Sequence, residues 1–317
     1  MKATVVGAGM WGTAFARLLA DRDHEVTLAC HDPEHARAIA EAGRNPRALA
    51  DVDLTGIDAA PAGPDAFAHA ELAVIAVPSR AFAKAVSSLP AGLPVVSLTK
   101  GLDPATGARL STLLPERLVA VLSGPNFAGE IAAGLPAAAV VASEDQQFAL
   151  HLQEQVNSLA FRVYVNDDLT GVELCAAAKN VIALAAGGVD GLRLGDNAKA
   201  ALIARGLTEM ARLGEACGAR PETFSGLAGM GDLVVTCWSR QGRNRRAGEL
   251  IAQGASPEEA AAEVGTVEGL TTAPVLRELS HRLGIELPIT EGVCSVLDGD
   301  DLQDLAAGLM GRQPTRE

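Results

Sequence analysis

The stretch Ala3-Thr4-Val5-Val6-Gly7-Ala8-Gly9-Met10-Trp11-Gly12-Thr13-Ala14 decides how the chain is read. A short β-branched run gives way to three glycines spaced G-x-G-x-x-G, then to a helical pattern through Ala20. Gly7 permits a tight turn, Gly9 lets the backbone approach a pyrophosphate, and Gly12 allows helix to pack closely on strand. The helix N-terminus offers unpaired N–H groups to that anion. The spacing alone says little, but strand, glycines and helix follow here in the order a dinucleotide site requires. The residue that reads the adenosine ribose belongs about 20 residues further on, at the end of the second strand. That region is Thr27-Leu28-Ala29-Cys30-His31-Asp32. Asp32 suits a ribose 2′-hydroxyl and NAD, whereas His31 or Arg37 suits a 2′-phosphate and NADP. Asp32 suits equally well the N-cap of a helix beginning at Pro33.

Working outward, short apolar runs alternate with helical patterns. Strands are expected at Ala3–Val6, Glu25–Cys30, Leu72–Val77, Val95–Leu98, Leu118–Leu122 and Ala138–Ala142. Helices are expected at Trp11–Asp21, Pro33–Ala42, Ala81–Leu89 and Gly107–Leu114. This alternation predicts an α/β domain, a doubly wound parallel sheet covered on both faces. After about Val165 the chain turns to Ala, Leu and Gly at helical spacing, with helices expected at Gly171–Gly187, Asn197–Cys217, Arg243–Ala252, Ser256–Val264, Thr271–Leu283 and Ile289–Leu297. Asn166-Asp167-Asp168-Leu169-Thr170 reads as a boundary with an N-cap signal. The division expected is a dinucleotide-binding domain over 1–166 and an all-helical domain over 167–317.

Composition limits the function classes. A chain of 317 residues is long enough for about two domains. With 48% hydrophobic residues it carries enough apolar surface for real cores, which excludes disorder. A net charge of −13 repels phosphate backbones, and 3% aromatics supply few stacking platforms. Neither nucleic acid nor an anionic membrane is an expected partner. The five cysteines are scattered, never C-x-x-C, which argues against a disulfide framework or structural zinc and suits a reducing cytoplasm. Met1-Lys2-Ala3-Thr4 runs straight into a strand pattern, so no signal peptide is expected. The most apolar stretch, Leu174–Val189, carries Lys179 and Asn180 near its middle and is shorter than the ~20 residues of a membrane span.

Lys179 is the first chemical landmark outside the glycine turn. A helix apolar nearly all round is a buried helix, and an unpaired ammonium is expensive to bury. The lysine must be used, snorkelled or paired, with Glu173 the partner within reach along the helix. A buried lysine drops in pKa towards neutrality, which suits acid–base work. The second landmark is Gly229-Met230-Gly231-Asp232-Leu233-Val234-Val235-Thr236, followed by Arg240, Arg243, Asn244, Arg245 and Arg246. Guanidinium forks match phosphate oxygens, and Arg243-Asn244 stands where a helix N-terminus favours an anion. Arg245 and Arg246 read as a solvated surface turn. Lys100, Val77-Pro78-Ser79 and Ser123-Gly124-Pro125-Asn126-Phe127-Ala128-Gly129-Glu130 follow strands, on the rim where open α/β sheets bind ligands.

Together these stretches resemble the NAD(P)-dependent glycerol-3-phosphate dehydrogenases of the bacterial type. Besides those quoted, the matching segments include Thr99-Lys100-Gly101, Ala178-Lys179-Asn180-Val181-Ile182-Ala183, Gly195-Asp196-Asn197, Gly226-Leu227-Ala228-Gly229-Met230-Gly231-Asp232-Leu233, Arg243-Asn244-Arg245-Arg246 and Val267-Glu268-Gly269. The resemblance runs from the first strand to about Leu287. It implies a Rossmann domain, a helical domain, and interconversion of dihydroxyacetone phosphate and sn-glycerol 3-phosphate, which supplies glycerol 3-phosphate for phospholipid synthesis. Position by position it implies that Lys179 accepts the proton of the substrate hydroxyl. Lys100, Gly124, Asn126, Asn180, Asp232, Thr236, Arg243 and Asn244 are then placed around a small phosphorylated substrate. Gly7, Gly9, Met10, Trp11, Gly12, His31, Lys100, Ala128, Arg243 and Glu268 are placed on NAD or NADP, and no metal is implied. Ala29, Ala48 and Gly242 depart from the family pattern, which has tryptophan, often tyrosine, and serine there. The alternatives are a related two-domain dehydrogenase acting on another hydroxy or keto acid, and a non-catalytic dinucleotide sensor. A homodimer is expected from the general preference for two-fold assemblies.

Overall fold

The computed structural model describes residues 1–302; the final stretch of the expected second domain, 303–317, lies outside the described residues. The first part runs β1 (Lys2–Val6), α1 (Met10–Ala20), β2 (Glu25–Cys30), α2 (Pro33–Ala42), β3 (Asp58–Pro61), β4 (Leu72–Ile75), α3 (Ser79–Val86) and β5 (Val95–Ser97). It continues with β6 (Val119–Ser123), α4 (Ala128–Ala132), β7 (Ala137–Ala142), α5 (Gln146–Val156) and β8 (Phe161–Asn166). These strands form one sheet in the order β3-β2-β1-β4-β5-β6-β7-β8. Every pairing is parallel except β6 with β7. The order reverses at β1, beside β4, and that switch point is where a doubly wound sheet opens a crevice.

Two strands went unread in the sequence. β3 is the four-residue edge run Asp-Ala-Ala-Pro, too short and too weakly apolar to signal itself. β8 alternates buried Phe161 and Val163 with exposed Arg162 and Tyr164, a half-buried edge strand. The expected helix over Gly107–Leu114 is only a 3₁₀ turn at Leu110–Leu113. Gly107 has φ 70°, and Arg109 is extended and bridges Leu102, so the segment is already committed to a turn.

Asn166 ends the sheet, and Asp168 opens the helical part as expected. Its Oδ1 accepts from Gly171 N (2.8 Å), while its Oδ2 accepts from Arg220 N (2.9 Å) and Thr223 Oγ1 (2.6 Å). One buried carboxylate thereby caps α6 (Leu169–Gly191) and ties it to α8 (Pro221–Ser225). Between those two lies α7 (Asp196–Ala216); after them come a π-turn at Leu227–Gly231, α9 (Asp232–Trp238), α10 (Arg243–Ala252), α11 (Pro257–Val264), α12 (Glu268–Leu283) and α13 (Pro288–Leu297).

At 23 residues α6 is longer than the sequence indicated, and its length and hydropathy would let it cross a membrane. Here 89% of its apolar window is instead buried by its neighbours. α10 packs on it backbone to backbone: a Cβ on Gly187 would lie 1.9 Å from Arg245 O, and one on Gly248 equally close to Leu184 O. This contact sets α10, and Arg243 at its start, directly against the helix that carries Lys179.

Candidate active site

The loops after β1, β4, β5 and β6 face α6, α9 and α10 across a cleft of about 350 Å³. Gly9, Met10 and Trp11 form one end, Lys100 and Asn126 a flank, and Lys179, Asp232, Thr236 and Arg243 the helical wall.

Gly7 adopts φ 110° and donates its N–H to Ala29 O (2.9 Å), so the turn bends back over β2. A Cβ on Gly12 would lie 1.9 Å from Gly7 O, so only glycine fits beneath the turn. A Cβ on Gly9 would meet nothing within 4 Å, because that backbone faces open space. α1 starts without a side-chain cap, which leaves its first N–H groups for an anion. Gly7 and Gly12 shape the turn without lining the cleft. These residues fit a dinucleotide pyrophosphate.

Lys179 is not paired with Glu173. That carboxylate accepts from Arg109 Nη1 (2.9 Å), Ser111 N (2.9 Å) and Ser111 Oγ (2.6 Å), fixing the 102–114 loop to α6. Lys179 Nζ instead donates to Asp232 Oδ1 (2.5 Å) and Thr236 Oγ1 (2.8 Å). Asp232 and Thr236 lie one turn apart on α9, and Thr236 Oγ1 donates to Asp232 O (2.6 Å). An ammonium has three N–H bonds, so one is left without a protein partner among the described residues. The other oxygen of Asp232 accepts from Lys100 Nζ (2.6 Å), which also donates to Gly124 O (3.1 Å). Ser123 Oγ approaches the same oxygen (3.5 Å).

Two lysines on one buried aspartate make a site of net positive charge. Burial drives Lys179 down to about 7; Asp232 opposes that shift and the second ammonium, Lys100, adds to it. Burial pushes Asp232 upward, but the two ammoniums outweigh it and hold its carboxyl below the usual carboxylate range. The lysine therefore exchanges its proton near neutral pH while the aspartate stays ionised.

Arg243 begins α10, as expected, and its guanidinium has no hydrogen bond or ion pair among the described residues. Asn244 lines the same cleft beside Asn180, but its amide is already engaged. Its Nδ2 donates to Asn180 Oδ1 (2.9 Å) and its Oδ1 accepts from Gly269 N (2.8 Å), joining α6, α10 and α12. Asn126 reaches the cleft, and with its amide turned so that Nδ2 faces Pro125 O and Ala138 O it donates to both (3.2 Å each). Ala128 lines the cleft at the start of α4, while His31 lies exposed beyond the end of β2. Glu268 crosses between the two parts, accepting from Ser79 N (3.2 Å) and Ser79 Oγ (2.7 Å). Burial raises the Glu268 carboxyl, against those two hydrogen bonds. Gly242 replaces the family's serine where space is short, since a Cβ there would lie 2.8 Å from Thr236 O.

Arg245 corrects the sequence reading. It is buried and pairs with Asp190 (2.5 Å), which also holds Lys199 (2.5 Å). Arg246 is half-buried and pairs with Glu249 and Glu263. The rim residues Ser79, Ser123 and Lys100 were read from the sequence but their partners were not: Ser79 meets Glu268, and Ser123 and Lys100 meet Asp232, each more than 100 residues away along the chain. Among the described residues no group of three or more His, Cys, Asp or Glu is placed to hold a metal.

A glycine-turn crevice facing a buried, proton-exchanging lysine and an unpaired arginine defines a two-part, nicotinamide-dependent dehydrogenase. More particularly, the chain belongs to the NAD-dependent glycerol-3-phosphate dehydrogenase family, whose N-terminal family model matches residues 2–149 and whose C-terminal model matches 168–306. It is 47% identical to a glycerol-3-phosphate dehydrogenase [NAD(P)+] of Moorella thermoacetica, over 99% of this chain and 96% of that protein. To the protein of the same name from Escherichia coli it is 45% identical, covering 98% and 95% of the two chains. A crystal structure of glycerol-3-phosphate dehydrogenase from Coxiella burnetii superposes with a TM-score of 0.94 at 38% identity, covering 98% of this chain and 99% of that one.

Proposed function

We propose that this cleft interconverts dihydroxyacetone phosphate and sn-glycerol 3-phosphate with NAD(P)H, supplying glycerol 3-phosphate for phospholipid synthesis. The observation that carries this reading is one cleft holding both a buried lysine with a spare N–H bond and an unpaired guanidinium. With the dinucleotide's pyrophosphate held at the glycine turn, its nicotinamide would supply or accept the hydride. In reduction, Lys179 gives the proton on Nζ to the substrate's C2 oxygen, and its charge stabilises that oxygen as it becomes alkoxide-like. In oxidation the neutral amine takes the C2 hydroxyl proton.

Asp232 and Thr236 keep Nζ in place through both states, so little reorganisation accompanies the proton's movement. Lys100 secures the far side of Asp232 and adds positive potential for a dianionic substrate. Arg243 holds the phosphate, and the ties of Asn244 to Asn180 and Gly269 fix the start of α10 so that Arg243 points into the cleft. Asn126 and Gly124 shape the substrate's flank. Met10, Trp11, Ala128, His31 and Glu268 are assigned to the dinucleotide.

The phosphate assignment is tested by comparing dihydroxyacetone phosphate with dihydroxyacetone. The phosphorylated ketone is expected to be turned over and the free ketone not. Arg243→Gln is expected to raise KM for the phosphorylated ketone by about 10²-fold, as loss of a charge-assisted contact predicts, with a smaller change in kcat. Equal turnover of both ketones would remove the phosphate from the reading.

The same reading divides the chain after residue 166 into dinucleotide-binding and substrate-binding parts. The five cysteines are all free, which supports a reducing, cytoplasmic setting. Exposed Met230, Val234 and Trp238, spaced four residues apart, supply an apolar stripe that supports a homodimer.

A further inference from the structure

The end of β2 carries a feature that bears on which dinucleotide is used. In dinucleotide folds an acidic residue here takes the ribose 2′-hydroxyl and repels a 2′-phosphate, while a nearby arginine accepts the phosphate instead. Asp32 has the right position, but both its oxygens are engaged. Oδ1 accepts from Glu34 N (3.0 Å), capping α2, and Oδ2 pairs with Arg47 Nη1 (2.7 Å). The Arg47 guanidinium beside it is the main reason that the Asp32 carboxyl sits below its usual range. The acidic group is therefore neutralised and turned to structural use.

Arg47 is held in register with the glycine turn by a buried residue. Asn45 Nδ2 donates to Ala8 O (3.0 Å), inside the turn, and to Thr13 Oγ1 (2.8 Å) on α1. Its Oδ1 accepts from His35 Nε2 (2.8 Å) and from Arg47 N (3.0 Å). The backbone of Arg47 is thus pinned to the loop that approaches the pyrophosphate. Its side chain is 58% exposed, and among the described residues Asp32 engages one of its five N–H donors. Exposed His31 stands next to Asp32.

We propose that Arg47 is a specificity-determining residue that receives the 2′-phosphate of NADP, with Asp32 positioning it, so that the chain favours NADP(H) over NAD(H). This rests on the dinucleotide reading of the glycine turn, and it is tested by binding alone. Isothermal titration with adenosine 2′,5′-bisphosphate and with 5′-AMP, and with NADP+ and NAD+, is expected to show tighter binding of the 2′-phosphorylated member of each pair.

Arg47→Gln is expected to weaken adenosine 2′,5′-bisphosphate and NADP+ about tenfold, the size of one charge-assisted contact, and to leave 5′-AMP and NAD+ within about twofold. Because Arg47 is exposed, an unchanged thermal unfolding profile serves as the folding control, and Arg47→Lys is expected to restore part of the preference. Equal weakening of all four ligands, or no weakening of any, overturns the assignment. Failure of every dinucleotide to bind the unmodified protein overturns instead the reading on which it rests.

Discussion

Lys179→Ala is expected to cut kcat in both directions by about 10²–10⁴-fold, the range that a positioned acid–base group contributes, while the Kd for the dinucleotide hardly changes. Among the described residues the side chain donates only to Asp232 and Thr236, and no hydrogen bond joins it to the glycine turn that receives the dinucleotide. Its removal does not strand the buried carboxylate, because Lys100 still occupies Asp232 Oδ2 at 2.6 Å. Folding should survive, and Lys179→Met, which fills the same space without a proton, is expected to behave alike. Steady-state kinetics with dihydroxyacetone phosphate and titration of dinucleotide fluorescence check the two halves of this result. A variant retaining a tenth or more of the activity would show that another group moves the proton.

The second large effect is expected at Asp232. Asp232→Asn removes the charge that both ammoniums share and leaves Lys179 buried without a counter-ion. Breaking a buried pair by deleting one partner costs about 3–5 kcal/mol, and the 5% and 2% exposure of the two side chains places this pair in that class. The partly exposed Lys100 can turn to solvent, so the cost falls mainly on Lys179. With the opposing charge gone, the Lys179 pKa is expected to drop further. The variant therefore melts at a lower temperature, and its reduction of dihydroxyacetone phosphate becomes confined to more acidic pH. A melting temperature and pH profile matching the unmodified protein would contradict the shared-carboxylate arrangement.

Much of this architecture is legible in the chain because its signals are local. The glycine turn, the apolar parallel strands and the Asp168 cap each act over a few residues, and each forms where the local chemistry requires it. The edge strands β3 and β8 were lost because edge pairing tolerates short or mixed sequences. Lys179 announces itself as a cation in an apolar helix, but its partner does not: Glu173, one helical face away, was the visible choice. The partner, Asp232, arrives from α9, 53 residues later; the sequence leaves open whether it orients Lys179 or meets a substrate hydroxyl, and the packing of α6 on α9 brings it to the lysine.

Arg245 shows the same limit. Read in a run of arginines it looks solvated, yet the glycine-lined approach of α10 to α6 buries it against Asp190. Arg47 gave no signal at all, since its relation to Asp32 depends on how Asn45 folds the intervening loop against the turn.

Whether one buried lysine, exchanging its proton near neutrality, serves both directions of the reaction is decided by the pH dependence of kcat/KM measured both ways on the unmodified protein. Reduction needs the ammonium, so its rate should be level below about pH 7 and fall tenfold per unit above; oxidation needs the amine and should rise to a plateau across the same midpoint. Opposed profiles sharing a midpoint near 7 are the predicted result. Profiles that stay flat in both directions from about pH 6 to about pH 8 would contradict it.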